Sequence, residues 1–414
     1  MASPAPARRT ALAALGTIAA CLVVTTTSAP GSSSPPLVAA TPEASSALGT
    51  VPARVAAKKQ TVTLRVLPPL AQPGPTAAGV AGARSVVLAT VTPAKSRRPV
   101  LLERKKGRTW KKVGRAFLDR RGTAQLVLPA AKGTSPRYRV TAKAFKGRRA
   151  VSGPTFRAAG WGAPTFVDDF AGDALGTSWA HRVQHYDPAG LRNCAKGDPA
   201  AVALTGGALR LSVVPDPARP EPCTAYRADG SLVGQFRYRL NGHVSTAGQK
   251  SLHYGFAAAR MKFQKDRGQH ASFWMQPVPY LPDATSAAEG GAEIDIIEWF
   301  GDSKRGGLAT FLYHPTTGGR QKVGGKLDDP DSFLAAKSDR WWRGYHVFSL
   351  EWTPTEYIFR IDGRETWRTS VGISQVPQYP IVSLLSSDYE LLNLGGEDRL
   401  PQHMYVDWVA MWQS

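Results

Sequence analysis

The segment GGAEIDIIEWF, from Gly290 to Phe300, places three acidic side chains among isoleucines. An unpaired carboxylate inside a buried strand is costly, so acids in so apolar a strand indicate a functional groove. In an ideal strand side chains alternate, which puts Glu293 and Asp295 on one face and Glu298 on the other. A β-bulge at Ile296-Ile297 would return Glu298 to the face of the first two acids. The segment therefore predicts a bulged strand that lines a groove.

Two carboxyl groups about 5 to 5.5 Å apart are what retaining glycoside hydrolysis needs. In that chemistry Glu293 attacks the anomeric carbon and Glu298 protonates the leaving oxygen. Asp295, between them, can share a proton with Glu293 and help to separate the titrations of the three acids. The alternative is a solvent-facing or calcium-binding strand, but the isoleucines argue against exposure and calcium loops are richer in Asp, Asn and Gly. The pattern favours catalysis that needs no cofactor.

The sequence around this segment is rich in strand patterns. Tyr345 to Trp352 and Tyr357 to Ile361 alternate, and Asp362-Gly363 supplies a tight hairpin turn. The closing stretch alternates as well, which predicts one face formed by Tyr405, Asp407, Val409 and Met411. Long amphipathic helices are absent from the pattern. Residues 159–414 are therefore predicted to form an all-β fold, a jelly-roll sandwich of two antiparallel sheets.

The first 57 residues carry targeting and linker signals. Residues 1–29 combine a positive start, the apolar run Ala11 to Val24 and small residues at a cleavage site, which predicts a signal peptide and a secreted protein. In an alternative interpretation Cys21 is lipidated and anchors the chain. The apolar run is too short for a comfortable membrane span. Residues 30–57, rich in Ser, Pro, Ala and Thr, are predicted to be a disordered linker.

Residues 58–158 contain short β-prone runs between turns, which predict a small antiparallel sandwich. Between Val51 and Arg157 there are 25 Lys and Arg residues against only Glu103 and Asp119, whereas the whole chain has a net charge of +21. This segment therefore carries the basicity of the chain and could hold a polyanion. Export favours an anionic cell-wall polymer over nucleic acid; the alternative is charge that only maintains solubility. The stretch RPVLLERKKGRTWKKVGRAFLDRRGTAQLVL resembles immunoglobulin-like modules of exported bacterial enzymes.

Two cysteines remain after the predicted signal peptide, Cys194 and Cys223. An exported chain meets oxidising conditions, and neither cysteine lies in a metal-spaced or Cys-His motif. The sequence therefore predicts a disulfide between them.

The stretch EIDIIEWFG resembles the Glu-x-Asp-x-x-Glu signature of glycoside hydrolase family 16, which includes laminarinases, lichenases, agarases and carrageenases. Other stretches resemble the family in the same order: FVDDFAG from Phe166, GHVSTAGQKSLHYGFAAARMKF from Gly242, ASFWMQP from Ala271, YHVFSLEWTPTEYIFRIDG from Tyr345 and MYVDWVAMWQ from Met404. The resemblance implies that Glu293 is the nucleophile, Asp295 the assisting acid and Glu298 the acid/base.

The resemblance implies further site residues. Trp274 matches a tryptophan of the sugar-binding cleft. Trp299 occupies the position of an aromatic residue that follows the acid/base, and His314 resembles a cleft histidine. His270 stands where many β-1,3-glucanases of the family carry tryptophan, and we assign it to substrate binding. Asp407 matches a position at which some relatives bind a structural Ca²⁺. Trp274 in the core and His314 in a structural role are the alternatives.

Three hypotheses of function follow. The first is a secreted, monomeric endo-β-glycosidase acting on β-1,3- or β-1,3-1,4-glucan. The second places a galactan hydrolase, of the agar or carrageenan type, or a transglycosylase at the same site. The third is a non-catalytic protein that binds carbohydrate or the cell wall; the presence of all three acids argues against it.

Overall fold

The computed structural model describes residues 59–130, 136–158, 161–301, 307–334, 336–394 and 398–414. The predicted signal peptide, Cys21 and the whole predicted linker lie outside the described residues. Within the described ranges, no helix is long and apolar enough to cross a membrane.

A small two-layer β-sandwich, here called the N-terminal sandwich, begins the described chain. Its strands are β1 (Thr61–Ala71), β2 (Arg84–Thr92), β3 (Pro99–Lys106), β4 (Thr109–Phe117), β5 (Thr123–Val127), β6 (Tyr138–Ala142) and β7 (Val151–Ser152). One sheet has the order β1-β2-β5 and the other β4-β3-β6-β7. In constant-type immunoglobulin domains the fourth strand joins the sheet of the first, whereas here β4 pairs with β3. The predicted sandwich is present, and its immunoglobulin-like assignment stays a prediction.

A second, larger β-structure follows. Its strands are β8 (Phe166–Asp168), β9 (Ala180–His181), β10 (Ala195–Gly197), β11 (Val202–Leu204), β12 (Leu209–Pro215), β13 (Pro222–Tyr226), β14 (Leu232–Arg237), β15 (Arg239–Ser245), β16 (Gly255–Lys262), β17 (His270–Pro277), β18 (Glu293–Trp299), β19 (Leu308–Thr316), β20 (Gly319–Lys326), β21 (His346–Trp352), β22 (Tyr357–Ile361), β23 (Arg364–Thr369), β24 (Gln378–Leu385) and β25 (Gln402–Gln413). The helices of the described residues are short: α1 (Ala287–Gly290), α2 (Asp388–Leu391) and the 3₁₀ turns Val80–Gly82, Pro199–Ala201 and Pro330–Phe333.

Two layers form the larger domain. The front sheet has the order β20-β19-β18-β17-β24-β15, and the back sheet continues from β15 as β12-β25-β16-β21-β22-β23. Side chains of both sheets meet in the main core, among them Ile294 and Ile297 of β18, Phe348 of β21 and Val409 of β25. Each such burial stabilises the fold by about 1.5 to 3 kcal/mol. The predicted all-β jelly-roll class is confirmed.

A bulge in β25 changes the predicted faces of the last strand. Arg260 pairs with Trp408 and Met261 with Val406, so Asp407 is an extra residue without a partner in the ladder. Val406 and Val409 therefore both face the main core, as an unbulged strand would not allow. The predicted face containing both Asp407 and Val409 is wrong, because alternation restarts at the bulge.

The N-terminal sandwich packs on the outer side of the back sheet. Leu67, Leu70 and Val86 form one buried cluster with Phe256 and Trp408. The turn between β22 and β23 also packs closely against the N-terminal sandwich at Gly363. A Cβ at this position would lie only 2.2 Å from Val86 Cγ2, so only glycine fits there. This glycine, at φ 74°, follows Asp362 at φ 46°, which is the predicted tight turn.

Asp407 is the polar centre of this contact. Its Oδ1 accepts hydrogen bonds from the backbone N–H groups of Ala78, at 3.0 Å, and Gly79, at 3.1 Å, and its Oδ2 forms an ion pair with Arg260. Arg260 Nε also donates to the Gln72 carbonyl at 2.6 Å. Both charged side chains are almost fully buried. The bulge therefore directs one acid at the N-terminal sandwich.

These contacts correct the predicted calcium ligand. Calcium takes six to eight oxygen ligands, whereas the groups around the Asp407 carboxylate are N–H donors and a guanidinium, which would repel a cation. The described residues also contain no group of three or more His, Cys, Asp or Glu side chains suited to a metal. Asp407 therefore does not fit the calcium role.

We expect Asp407→Asn to lower the free energy of unfolding by about 3 kcal/mol, because it leaves Arg260 buried without its counter-ion. Urea unfolding of the full chain measures the change, with the exposed Asp173→Asn as the matched control. EDTA should leave the unfolding midpoint of the wild-type protein unchanged. A lower midpoint in EDTA would contradict the displacement of calcium by these contacts.

Candidate active site

The predicted bulge in β18 is confirmed by the pairing of the strand. Asp295 pairs with Phe311 and Glu298 with Ala309, so three steps along β18 match two steps along β19. Pairing with β17 shows the same shift and identifies Ile296 as the extra residue. The alternation of side chains is therefore reset between Asp295 and Glu298.

The bulge brings the three acids into one groove on the outer side of the front sheet. Glu293, Asp295 and Glu298 line it together, while Ile296 and Ile297 face the main core. This is the arrangement that the sequence predicts. The three carboxyl groups have different surroundings, which gives them different chemistry.

Glu293 lies beside a cation. Its Oε2 is 2.9 Å from Nη2 of Arg320 and 3.5 Å from Nε2 of Gln276, which donates a hydrogen bond. Arg320 itself lies over the ring of Tyr313, with Cζ 4.7 Å from the ring centroid. The guanidinium supports a negative charge on Glu293, as a nucleophile requires.

Asp295 is the most enclosed of the three acids. Its side chain is almost fully buried, and burial together with the charges of Glu298 and Glu293 raises its pKa well above the usual range. The raised pKa favours its protonated form, which can donate a hydrogen bond to a neighbouring carboxylate.

Glu298 has surroundings suited to an acid. Burial raises its pKa, the His270 charge opposes that shift and Glu390 adds to it. Ser272 Oγ donates a hydrogen bond to Glu298 Oε1 at 3.3 Å. Glu298 is thus favoured as a proton donor, whereas the cation beside Glu293 favours an anion there.

His270 connects Glu298 with a fourth carboxylate. Its Nδ1 is 2.8 Å from Oε1 of Glu390, and its Nε2 is 4.0 Å from Oε1 of Glu298. Burial alone would lower the pKa of His270, but Glu390 holds it above the ordinary value. His270 therefore lines the groove, as predicted, and its charge acts on Glu298.

Aromatic and cationic side chains form the walls. Trp274 lines the groove as predicted; its indole N–H donates to Ser383 Oγ at 3.1 Å, and its ring stacks on His243 at 5.9 Å between centroids. Arg192 and Lys322 add positive charge to the lining. The groove thus combines a flat aromatic surface with cations.

His314 lies outside the groove, which corrects its predicted role. Tyr313 pairs with Glu293 and lines the groove, so the next residue along β19 faces the other way. His314 is buried there, and a Cβ on Gly372 would lie only 2.7 Å from its Cδ2. The resemblance selected the right strand and the wrong face.

Trp299 is the second correction. It is fully buried in the main core, and its indole N–H donates to the Gln264 carbonyl at 2.9 Å. Phe300, one residue later, lines the groove instead. Alternation after Glu298 sends the following residue inward, so Trp299 cannot contact a ligand in the groove.

The predicted disulfide between Cys194 and Cys223 is present. The two cysteines pack with Leu391 of α2, and the backbone N–H of Cys194 donates to Asp388 Oδ1 at 3.3 Å. Since α2 also carries Glu390, the disulfide supports the segment that holds His270.

Sequence reasoning missed several contributors to the site, among them Ser272, Tyr313, Arg320 and Glu390. Two signals could have found some of them. Strict alternation along β19 indicates Tyr313 rather than its neighbour, and Ser387 with Glu390 has the spacing of a capping box, which predicts the start of α2. Nothing in the sequence alone brings Arg320 to Glu293, because that contact depends on the register of β20.

Comparison with known proteins finds a match to a family model within this domain. Residues 222–410 match the sequence model described as glycosyl hydrolases family 16. A beta-glucanase from Rhodothermus marinus is 27% identical over 194 residues, which are 46% of this chain and 55% of that protein. The chain thus spans about half the length of this curated relative.

Comparison with solved structures finds matches at low sequence identity. The laminarinase catalytic domain from Thermotoga maritima MSB8 is 18% identical with a TM-score of 0.45, over 61% of this chain and 98% of that one. The endo-beta-1,3-glucanase from Pyrococcus furiosus is also 18% identical with a TM-score of 0.45, over 62% and 94%.

We expect Asp295→Asn to raise the free energy of unfolding at neutral pH by about 1 kcal/mol, because it removes a buried acid from between two others. Above the ordinary aspartate range the unfolded chain is ionised at this position while the folded chain keeps its proton. Stability of the wild-type protein therefore falls as the pH rises. The advantage of the variant should therefore grow as the pH rises above the ordinary aspartate range, about pH 4.

Urea unfolding at several pH values measures this, with the exposed Asp283→Asn as the control. An advantage that shrinks as the pH rises would contradict the raised pKa of Asp295.

Proposed function

We propose that the protein is a retaining endo-β-glucanase that hydrolyses β-1,3- or mixed-linkage β-glucan, since its residues 222–410 match the sequence model of glycosyl hydrolases family 16. The observation that carries the proposal is the contrast between two acids of one groove. Glu293 has a cation at 2.9 Å, and Glu298 has a raised pKa caused by burial.

The reaction has two steps. Glu293 attacks the anomeric carbon, and the bond from that carbon to the leaving sugar breaks as Glu298 gives its proton to the glycosidic oxygen. The product is a glycosyl ester on Glu293. Glu298, now a carboxylate, then takes a proton from water; the water oxygen attacks the anomeric carbon and releases Glu293. Two inversions at the same carbon give net retention.

Asp295 assists both steps as a neutral donor. Because its pKa is raised by burial and by its neighbours, it can hydrogen-bond to the Glu293 carboxylate without adding a second negative charge. His270 is a positioning residue for Glu298, since it is held by Glu390 and does not itself reach the reacting bond in this mechanism.

Glucan as substrate is supported by the walls of the groove and by the named relative. The faces of Trp274 and Tyr313 can pack on sugar rings. Beyond Glu293 the groove continues into a second depression lined by Tyr280, Leu281 and Pro282, so it can accommodate a long chain and internal cleavage. The Rhodothermus marinus relative carries the name beta-glucanase.

One observation favours a second candidate. Arg192, Arg320 and Lys322 line the same groove, and three cations suit a substrate with anionic groups. A sulfated galactan of the carrageenan type would satisfy them, and the chemistry at Glu293 and Glu298 would be unchanged.

The proposal includes export of the enzyme. Its support is the positive and apolar start of the chain, through Val24, and the disulfide between Cys194 and Cys223. Lipid anchoring through Cys21 is the alternative arrangement.

Glu293→Gln should reduce hydrolysis of laminarin by at least about a thousandfold, because the amide cannot form the glycosyl ester. Reducing-end assays measure the rate, and Glu289→Gln, an exposed acid in the neighbouring α1, is the matched control. Proton NMR of the first product should give the β-anomer. The same assay on lichenan, agarose and carrageenan separates the two candidates; activity on carrageenan with none on either glucan would exclude the glucanase.

His270→Asn should move the alkaline limb of the kcat/KM profile to higher pH. The positive charge of His270 lowers the pKa of Glu298, and Glu298 must be protonated to act, so removing the charge extends activity upward. The measurement is the pH profile on the preferred polysaccharide. An alkaline limb that stays in place or moves down would show that His270 does not act on Glu298.

A further inference from the structure

The sheet β4-β3-β6-β7 of the N-terminal sandwich has an outer face that the rest of the described chain does not cover. The other sheet of this sandwich packs against the back sheet through Leu67 and Val86. Within the sandwich, Val100, Leu102 and Val140 point inward and are fully buried. Because side chains alternate along strands, their neighbours Leu101, Arg115 and Arg139 point outward.

Positive charge gathers at both ends of this face. The β3–β4 turn exposes Lys105 and Lys112 on this face and Arg104, Lys106, Arg108 and Lys111 around its end, and the segment after β6 exposes Lys143, Lys146 and Arg149. In the ion pairs of the described residues, none of the six cations of the turn takes part. Glu103, the acid of this sheet, is held by Arg139 Nε at 2.8 Å and Thr141 Oγ1 at 2.6 Å. The field of the face is therefore positive along its length.

Two aromatic side chains lie on this face, one near each charge cluster and both on the edge strand β4. Phe117 is 54% exposed, with Arg115 Cζ 4.8 Å from its ring centroid. Trp110 lies at the other end of the strand, with Arg139 Cζ 4.6 Å from its ring centroid. The two rings are about 20 Å apart by the rise of a strand, so an extended polymer could contact both.

We propose that this outer face is a binding site for an anionic polysaccharide. Cations at both ends would pair with its acidic groups, and the two rings would pack on its sugars. Nucleic acid has the same charge, but the same chain carries the groove proposed to bind glucan and a predicted export signal. The choice of polysaccharide therefore rests on the proposed function, whereas the site itself rests on charge and geometry.

The test uses the full chain and polygalacturonate as the probe, with dextran as the uncharged polymer. Calorimetric titration at several salt concentrations should give affinity for polygalacturonate that falls steeply with salt, and none for dextran. The variant Lys105→Glu/Lys112→Glu should weaken binding by about tenfold or more. The matched variant Lys250→Glu/Lys337→Glu makes the same change in net charge on the larger domain and should weaken binding less than about twofold.

Equal losses in the two double variants would overturn the site, because net charge alone would then explain binding. Trp110→Ala and Phe117→Ala should each lower the affinity several-fold, and no loss in either would remove the role of the rings. Tighter binding of duplex DNA than of polygalacturonate at equal salt and charge concentration would overturn the choice of polysaccharide.

Hydrolysis of soluble laminarin by Lys105→Glu/Lys112→Glu should equal that of the wild-type protein. Hydrolysis and binding assays therefore test the two proposals separately. A wild-type protein without activity contradicts the proposed glucanase, whereas a variant that binds polygalacturonate as tightly as the wild type contradicts the proposed polysaccharide site.

Discussion

Burial of the isoleucines in β18 sets the geometry of the groove. Ile294, Ile296 and Ile297 all face the main core, which a strand with strict alternation cannot achieve while also presenting three acids to the other side. The extra residue at Ile296 satisfies both demands. Moving one isoleucine into the groove would lose about 1.5 to 3 kcal/mol and bury an acid in the core, so the bulged register is strongly preferred.

A second bulge, in β25 of the back sheet, also changes the direction of an acidic side chain. The extra residue in β25 turns Asp407 away from the main core while Val406 and Val409 both remain inside it. The bulge in β18 directs Glu298 into the groove. The bulge in β25 directs Asp407 towards Arg260 and the N-terminal sandwich. Both acids are costly to bury, and the local partners of each decide whether it serves chemistry or attachment.

The sequence allowed the bulge in β18 to be predicted but not the one in β25, and the reason is physical. Without a bulge, β18 would place acids on both faces of an apolar strand, and one acid would be buried in the core. In β25 the residues around Asp407 alternate regularly, so the sequence gives no sign of a bulge there. His314 and Trp299 were assigned from the family resemblance, and each assignment was wrong by one step of the alternation along its strand. Glu390 and Arg320 reach the site through register and turns that depend on the whole fold, so local patterns could not bring them there.

The docking of the N-terminal sandwich on the back sheet fixes its orientation relative to the groove. The basic outer face and the groove belong to opposite outer layers of one stack of sheets, joined by buried side chains rather than by a free tether. A polymer bound on the basic face therefore lies on the opposite side of this stack from the acidic groove. The proposed glucanase would bind an anionic polymer through the basic face while it cleaves a different polymer in the groove. This arrangement suits a mixed matrix in which a charged and a neutral glycan lie side by side.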